Sequence, residues 1–324
     1  MSGLGRREFV ALLGGAAAAW PTGSQAEQRE RVSRIGVLVP LPPTVFAPFF
    51  SELRQDGFIE GRTLSVDRRG FDVKYDEFPT IITELVKAGP DVILCGGDAA
   101  IRTAQAATSS IPIVAITDDM VGAGLVRSLA HPGGNTTGVS ILAGDLDGKR
   151  QEVLLEFFPD VRHLAVLSDP QNNTPAQLQA LLDIARARGV EISTHRVERN
   201  EDIGSAIDAA KAAGAEALNV LASPLLHGNR RAIFARTIDL RLPAIYQWPE
   251  TALEGGLLAY GPRFTDVFRQ LARQTVKVLR GAKPVELPVE QPTKFELVVN
   301  LRTAKAIGLD FSPTLLARAD EVIE

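Results

Sequence analysis

Short β-branched runs alternate with longer amphipathic stretches along most of this sequence, and that alternation limits the folds open to it. The short runs are RIGVLV (34–39), TLSVDRR (63–69), DVILCG (91–96), IPIVAIT (111–117), TTGVSIL (136–142), HLAVLS (163–168), VEISTHRV (190–197), EALNVLAS (216–223), LPAIYQW (242–248), GLLAYG (256–261) and FELVVN (295–300). Many are almost wholly apolar, as strands buried on both faces should be. Between them the period lengthens. ALLDIARARG (180–189) reads as a helix that Gly189 stops. In DVFRQLARQTVKVLRGAKP (266–284), Val267, Leu271 and Val278 fall close to one helical face, and Gly281 and Pro284 end it. Such repetition predicts right-handed βαβ units and parallel sheets, hence an α/β protein. The length suits two modest lobes better than one core. A first set of strands ends at TTGVS, and the helical stretch GDLDGKRQEVLLEFF (144–158) leads into a second set. No Pro/Gly/Ser linker separates them, so the crossing runs through structured segments.

The N-terminus reads differently. Arg6 and Arg7 precede a short apolar run, Phe9 to Trp20, and Ser24-Gln25-Ala26 offers small residues for cleavage near Ala26. The run is too short to span a bilayer, which needs about 20 apolar residues. The paired arginines followed by Glu8-Phe9-Val10 fit a twin-arginine leader over residues 1–26, although Gly5 stands where Ser or Thr is usual and no Lys follows Val10. A Sec signal is the alternative. The expected location is therefore periplasmic. No Cys follows the apolar run, which excludes a lipoprotein anchor there.

Composition removes several function classes. A net charge of −4 gives no reason to expect nucleic acid or an anionic membrane as partner. The one Cys, Cys95, rules out an intrachain disulfide, and four scattered His form no metal-ligand spacing. No metal and no cofactor is expected.

Parallel sheets bind ligands at the carboxyl ends of their strands. Those ends carry Leu41 in the Pro40–Pro43 segment, Gly97 and Asp98 after DVILCG, and Thr117, Asp118 and Asp119 after IPIVAI. They also carry Ser140, Ser168, Asn172 and Asn173, then Ser223, Gln247, Trp248 and Tyr260. Polar groups with two flat rings suit a small-molecule pocket, although the same residue types also serve as ordinary caps and turns. Asp98 is the sharpest case. It either caps the helix that follows or leaves the helix amides to an anionic ligand. If it holds those amides, a cationic or hydroxylated ligand is favoured.

No catalytic set is visible. Cys95 sits near a strand end and reads as a small buried apolar residue. His131, His163, His195 and His227 lack sequence-adjacent partners, although His227 could face a cleft. No G-x-S-x-G, P-loop or H-E-x-x-H pattern occurs.

Several stretches carry a family resemblance. DGFIEGRTLSVD (56–67), DVILCGGDAAIRTAQAAT (91–108), VGAGLVRSLAHPGGNTTGVS (121–140) and the tail from Leu287 to Glu324 closely resemble the tryptophan-binding-like ABC transporter substrate-binding proteins. The resemblance implies a type I periplasmic-binding fold, two Rossmann-like lobes with parallel sheets joined by a three-crossover hinge. The lobes would be 32–142 plus 262–283, and 143–261 plus 284–324. It implies capture of a small organic solute, amino-acid-like or aromatic, for the membrane permease of an ABC transporter, by a monomer that is not an enzyme. It places ligand contacts at Leu41, Asp98, Thr117, Asp118, Ser168, Asn172, Asn173, Ser223, Gln247 and Tyr260. Trp248 or Tyr260 would stack on the solute, while Asp98, Asp118, Ser168 and Asn172 fix its polar groups. This chain departs from the family in three places. Gly97-Asp98-Ala99-Ala100 stands where T/S-P-A-A is common, Asp118-Asp119 where D-P is common, and Gln247-Trp248 where an acid is often found. Those departures argue against tryptophan itself. A solute sensor for a chemoreceptor or sensor kinase is the alternative reading, and an exported hydrolase a remote one.

Overall fold

The β-branched runs become the strands of two sheets. The computed structural model describes residues 32–324, and Ser33–Glu324 form one compact unit. The expected leader, with Arg6, Arg7 and Ala26, lies outside the described residues.

Lobe one holds β1 (Ser33–Leu38), α1 (Ala47–Gln55), β2 (Leu64–Asp67), α2 (Phe78–Ala88), β3 (Val92–Gly96), α3 (Asp98–Ala107), β4 (Ile113–Thr117) and β5 (Thr136–Ser140). Its sheet runs β2-β1-β3-β4-β5, with every neighbouring pair parallel. Strand side chains alternate between faces. Val37, Val39, Leu94 and Val114 join the core under α1, while Leu38, Ile93, Cys95 and Ile113 join the core under α2 and α3. Both faces are covered, which is why these runs are apolar throughout.

Lobe two begins with α4 (Ala143–Phe157), β6 (His163–Ser168), α5 (Pro175–Ala187), β7 (Glu191–Arg196), α6 (Asp202–Ala212) and β8 (Ala217–Val220). It continues through α7 (Pro224–Gly228), α8 (Arg230–Asp239), β9 (Ala244–Tyr246), α9 (Pro249–Leu253) and β10 (Leu258–Gly261). The chain then returns to lobe one as α10 (Phe264–Leu279), which packs against α1, β4 and β5. Val267, Leu271 and Val278 face that core as the periodicity predicts. The segment after α10 stays with lobe one. Glu290 pairs with Val139, and the Ser140 amide donates to the Glu290 carbonyl at 2.9 Å, so the last crossing follows Glu290 and does not fall at 284. The chain closes the second sheet with β11 (Glu296–Asn300) and β12 (Glu321–Ile323), in the order β12-β11-β10-β9-β8-β6-β7.

The chain thus passes between lobes three times. One feature differs from a purely parallel expectation: β11 runs antiparallel to β10. The connectivity requires it. β10 leaves the second sheet towards lobe one, and β11 re-enters from that side. The first crossing is also marked, since Leu142 sits between β5 and α4 with φ of 63°, a left-handed conformation costly for a side chain with a Cβ.

Candidate binding cleft

The strand ends of the two sheets face each other, and loops from both lobes meet there. At one end of the seam the meeting is direct. Tyr75, in a 3-10 turn before α2, donates its hydroxyl to Asp169 Oδ2 at 2.8 Å. Asn172 Nδ2 donates to the same carboxylate at 2.6 Å and to the Tyr75 oxygen at 2.9 Å. Asn172 Oδ1 accepts the Asp98 amide at 3.1 Å. Asp169 and Asn172 follow β6, so these bonds tie the lobes together. Burial first, and Asp169 second, push the Tyr75 phenol upward, so it stays a donor. Gly97 makes this approach possible. Its φ is +83°, and a Cβ there would lie 2.8 Å from Asn172 Oδ1 and 2.9 Å from Pro224 Cγ.

Beside this contact lies a cavity of about 460 Å3, its open mouth included. Lobe one lines it with Val39, Leu41, Gly96, Gly97, Ile116, Thr117, Asp118 and Ile141, and lobe two with Ser223, Pro224, His227, Gln247 and Trp248. Phe46 from before α1, and Phe264 and Phe268 from α10, complete the wall. The aromatic rings are mutually ordered. Phe264 stacks on Phe268 at 4.1 Å and on His227 at 5.3 Å, and Trp248 meets Phe264 edge-on at 5.0 Å. Trp248 follows β9 of lobe two yet packs into the core of lobe one, so this ring set spans the seam. Such a lining suits a flat apolar solute.

The polar side of the cavity is acidic. Asp118 is buried, and Gln247 Nε2 donates to it at 3.4 Å from the other lobe. Burial raises its carboxyl well above the usual range. Asp147 and Asp98 add to the rise, and Arg150 and the Gln247 bond oppose it. Asp98 stands behind Thr117, whose hydroxyl donates to its carboxylate. Burial also raises Asp98, with the Thr117 bond and Arg102 opposing. Burial pushes His227 down to about 3, helped by Arg230, so its ring is neutral. Behind the cavity Asp147 and Arg150 of α4 form a fully buried ion pair. Arg150 also donates to the Tyr260 carbonyl at 3.2 Å, while Arg150 Nε has no partner among the described residues. Burying such a pair is costly unless well bonded.

Residues 49–323 match the family described as ABC transporter substrate binding protein. The chain belongs to that family. A tyrosine-binding protein of Clostridioides difficile (strain R20291) is 25% identical over 268 residues, covering 81% of this chain and 75% of its own. Two crystal structures share the fold at 22% identity, each over 90% of this chain and 100% of the other. One is a conserved domain protein from Vibrio cholerae (TM-score 0.81), and one an ABC domain from Streptococcus pneumonia in complex with L-Trp (TM-score 0.79). The architecture is the type I periplasmic-binding fold.

Within this substrate-binding fold, Leu41, Gly97, Thr117, Asp118, Ser223, Gln247 and Trp248 come together on the cavity wall. The other strand-end residues do different work. Asp98 is the first residue of α3 and caps nothing, since Gly97 holds the cap position. Its carboxylate turns towards Thr117 instead. Ser140 Oγ accepts the Met120 amide at 3.2 Å and so shapes the loop carrying Asp118. Asn173 Oδ1 accepts the Asp169 amide at 2.8 Å and takes a longer bond, 3.4 Å, from Ser168, which fixes the loop after β6. Asp119 accepts the amides of Val121 and Gly122. The Tyr260 ring packs near Phe295, at 6.5 Å between centroids, and is not among the cavity-lining residues. Cys95 is fully buried in β3, and burial raises its thiol.

Sequence reasoning missed Tyr75, Phe46, Phe264, Phe268 and the Asp147–Arg150 pair. Phe264 and Phe268 had a signal, being four apart on a helix whose other apolar face was legible.

Proposed function

We propose that the protein is the solute-binding component of an ABC-type uptake system, holding one small organic solute, amino-acid-like or aromatic, between its lobes. The observation that carries this reading is the cavity walled by both lobes, with Asp118 and Thr117 on one side and Gln247, Ser223 and Trp248 on the other. Residues from both lobes give a solute differential contact with the closed form, which is what drives closure. The tyrosine-binding relative and the fold neighbour holding L-Trp support a solute of aromatic size. The leader read over residues 1–26 supports delivery by the twin-arginine route to the periplasm, where the monomeric protein would meet its permease.

A thermal-shift screen over amino acids, aromatic acids, aromatic amines and polyamines tests the reading. A solute that binds only the native state at about 100 times its Kd adds about 2.7 kcal/mol of stability. At least one compound is expected to raise the melting temperature. No shift across the panel contradicts the proposal. Replacing Arg6 and Arg7 by Lys is expected to strand folded protein in the cytoplasm, and normal export of that variant would favour the Sec route instead.

A further inference from the structure

The charge pattern of the cleft narrows the class of solute, on the condition that the binding reading above holds. We propose that the solute is a protonated organic amine with an apolar, aromatic-sized body and no carboxylate, its ammonium seated against Asp118.

Three observations lead there. First, among the described residues that line this cavity, Asp118 is the one carboxylate and none is Lys or Arg. Arg150, which acts on Asp118 electrostatically, is fully enclosed and bonded to Asp147 and to the Tyr260 carbonyl. Arg230 lines the adjoining recess, but Glu254 holds it through two bonds, at 2.8 and 3.0 Å.

Second, two lobe-one donors near the cavity that could receive a carboxylate are engaged. The Thr117 hydroxyl donates to Asp98, and the Asp98 amide donates to Asn172. Asp98 itself stands in the first turn of α3. A negative side chain there offsets the positive end of the helix and repels an incoming anion. The carboxylate of an α-amino acid lies beside its ammonium, so seating that ammonium at Asp118 brings like charges together in a buried site. Such juxtapositions are strongly unfavourable.

Third, Asp118 has acceptor capacity to spare. An ionised carboxylate offers about four lone-pair positions, and Gln247 supplies one long bond at 3.4 Å. The rest of the wall, from Ile116 and Phe46 to Trp248 and Phe264, is apolar and matches a ring or hydrocarbon body. Aromatic faces also favour an adjacent cation.

The test is isothermal titration of the purified protein with matched probes: tryptamine, L-tryptophan, indole-3-acetate and indole, then tyramine, L-tyrosine and 4-hydroxyphenylacetate. The amines are expected to bind at least about 10-fold tighter than the matching amino acids, given the like-charge penalty, and the acids not to bind. In Asp118→Asn, a near-isosteric change, amine affinity is expected to fall by about 100-fold, with circular dichroism confirming the fold. An amino acid binding as tightly as its amine, or an amine indifferent to Asp118→Asn, overturns the inference and leaves the solute-binding reading standing. Binding of none of these probes overturns the inference. Failure of the broader thermal-shift panel as well overturns both.

Discussion

The seam between the lobes has two ends, built from similar residue types and differing in how those residues are satisfied. At the Tyr75 end, the phenol, the Asn172 amide and the Asp169 carboxylate bond one another across the gap. At the Asp118 end, a buried carboxylate faces a cavity with one long bond to Gln247 and a wall of rings behind it. A polar cluster satisfied by protein stabilises one relative position of the lobes. A polar group left with free capacity beside an apolar wall is suited to receiving something else. On the proposed function, the first end governs closure and the second governs choice of solute.

Substitutions should separate the two roles. The largest effect is expected for Trp248→Ala, which removes a buried ring that ties lobe two to the core of lobe one. It should cost about 3–5 kcal/mol in denaturant unfolding and weaken every solute. Little change in stability would show that the ring set does not join the lobes. Gly97→Ala comes next, because a left-handed Cβ costs about 1–2 kcal/mol and this one would press on Asn172 and Pro224. It should hold the lobes apart, read as a larger radius of gyration in X-ray scattering with saturating solute. An unchanged radius would mean that closure does not need this approach.

A smaller, pH-dependent effect is expected at Asp118. Asp98, Asp147 and Arg150 face it, and burial raises its carboxyl above the unfolded value. A raised carboxyl stabilises the fold fully below the unfolded pKa of about 4, and that contribution is lost as pH rises through the folded pKa. Without solute, Asp118→Asn should therefore melt above the wild type at pH 7, with the gap closing as pH falls towards 4. A gap that widens on acidification would give Asp118 the opposite environment. The smallest effect is expected for Tyr75→Phe, the loss of one hydroxyl worth about 0.5–1.5 kcal/mol. All solutes should weaken alike, by roughly 3- to 10-fold. A change in preference between amine and acid would break the division between closure and choice.

The sequence carried the fold and the same-chain neighbours of the site, but not the contacts across the seam. Strand periodicity and the stops at Gly189 and Gly281 mark elements directly, because each depends on a few adjacent residues. β12 escaped because Glu321–Ile323 is short and follows charged residues. The direction of β11 depends on where the third crossing returns, which no local pattern records. Asp118, Gln247 and Trp248 were legible as strand ends. Their pairing was not, since it joins residues from different sheets. Tyr75 lies in the polar segment DVKYDEF, where nothing local distinguishes a seam residue from an exposed one. Asp98 offered a cap reading that the structure replaces with a bond from Thr117, since Gly97 holds the cap position and Asp98 falls inside the helix.

A crystal structure of the protein grown with tryptamine bears most directly on the division between the two ends. The expected result places the ammonium within hydrogen-bond distance of the Asp118 carboxylate and the indole against Trp248 and Phe264, with the Tyr75–Asp169 bond intact. An amine bound outside this cavity, or bound within it with its ammonium turned away from Asp118, would contradict the assignment.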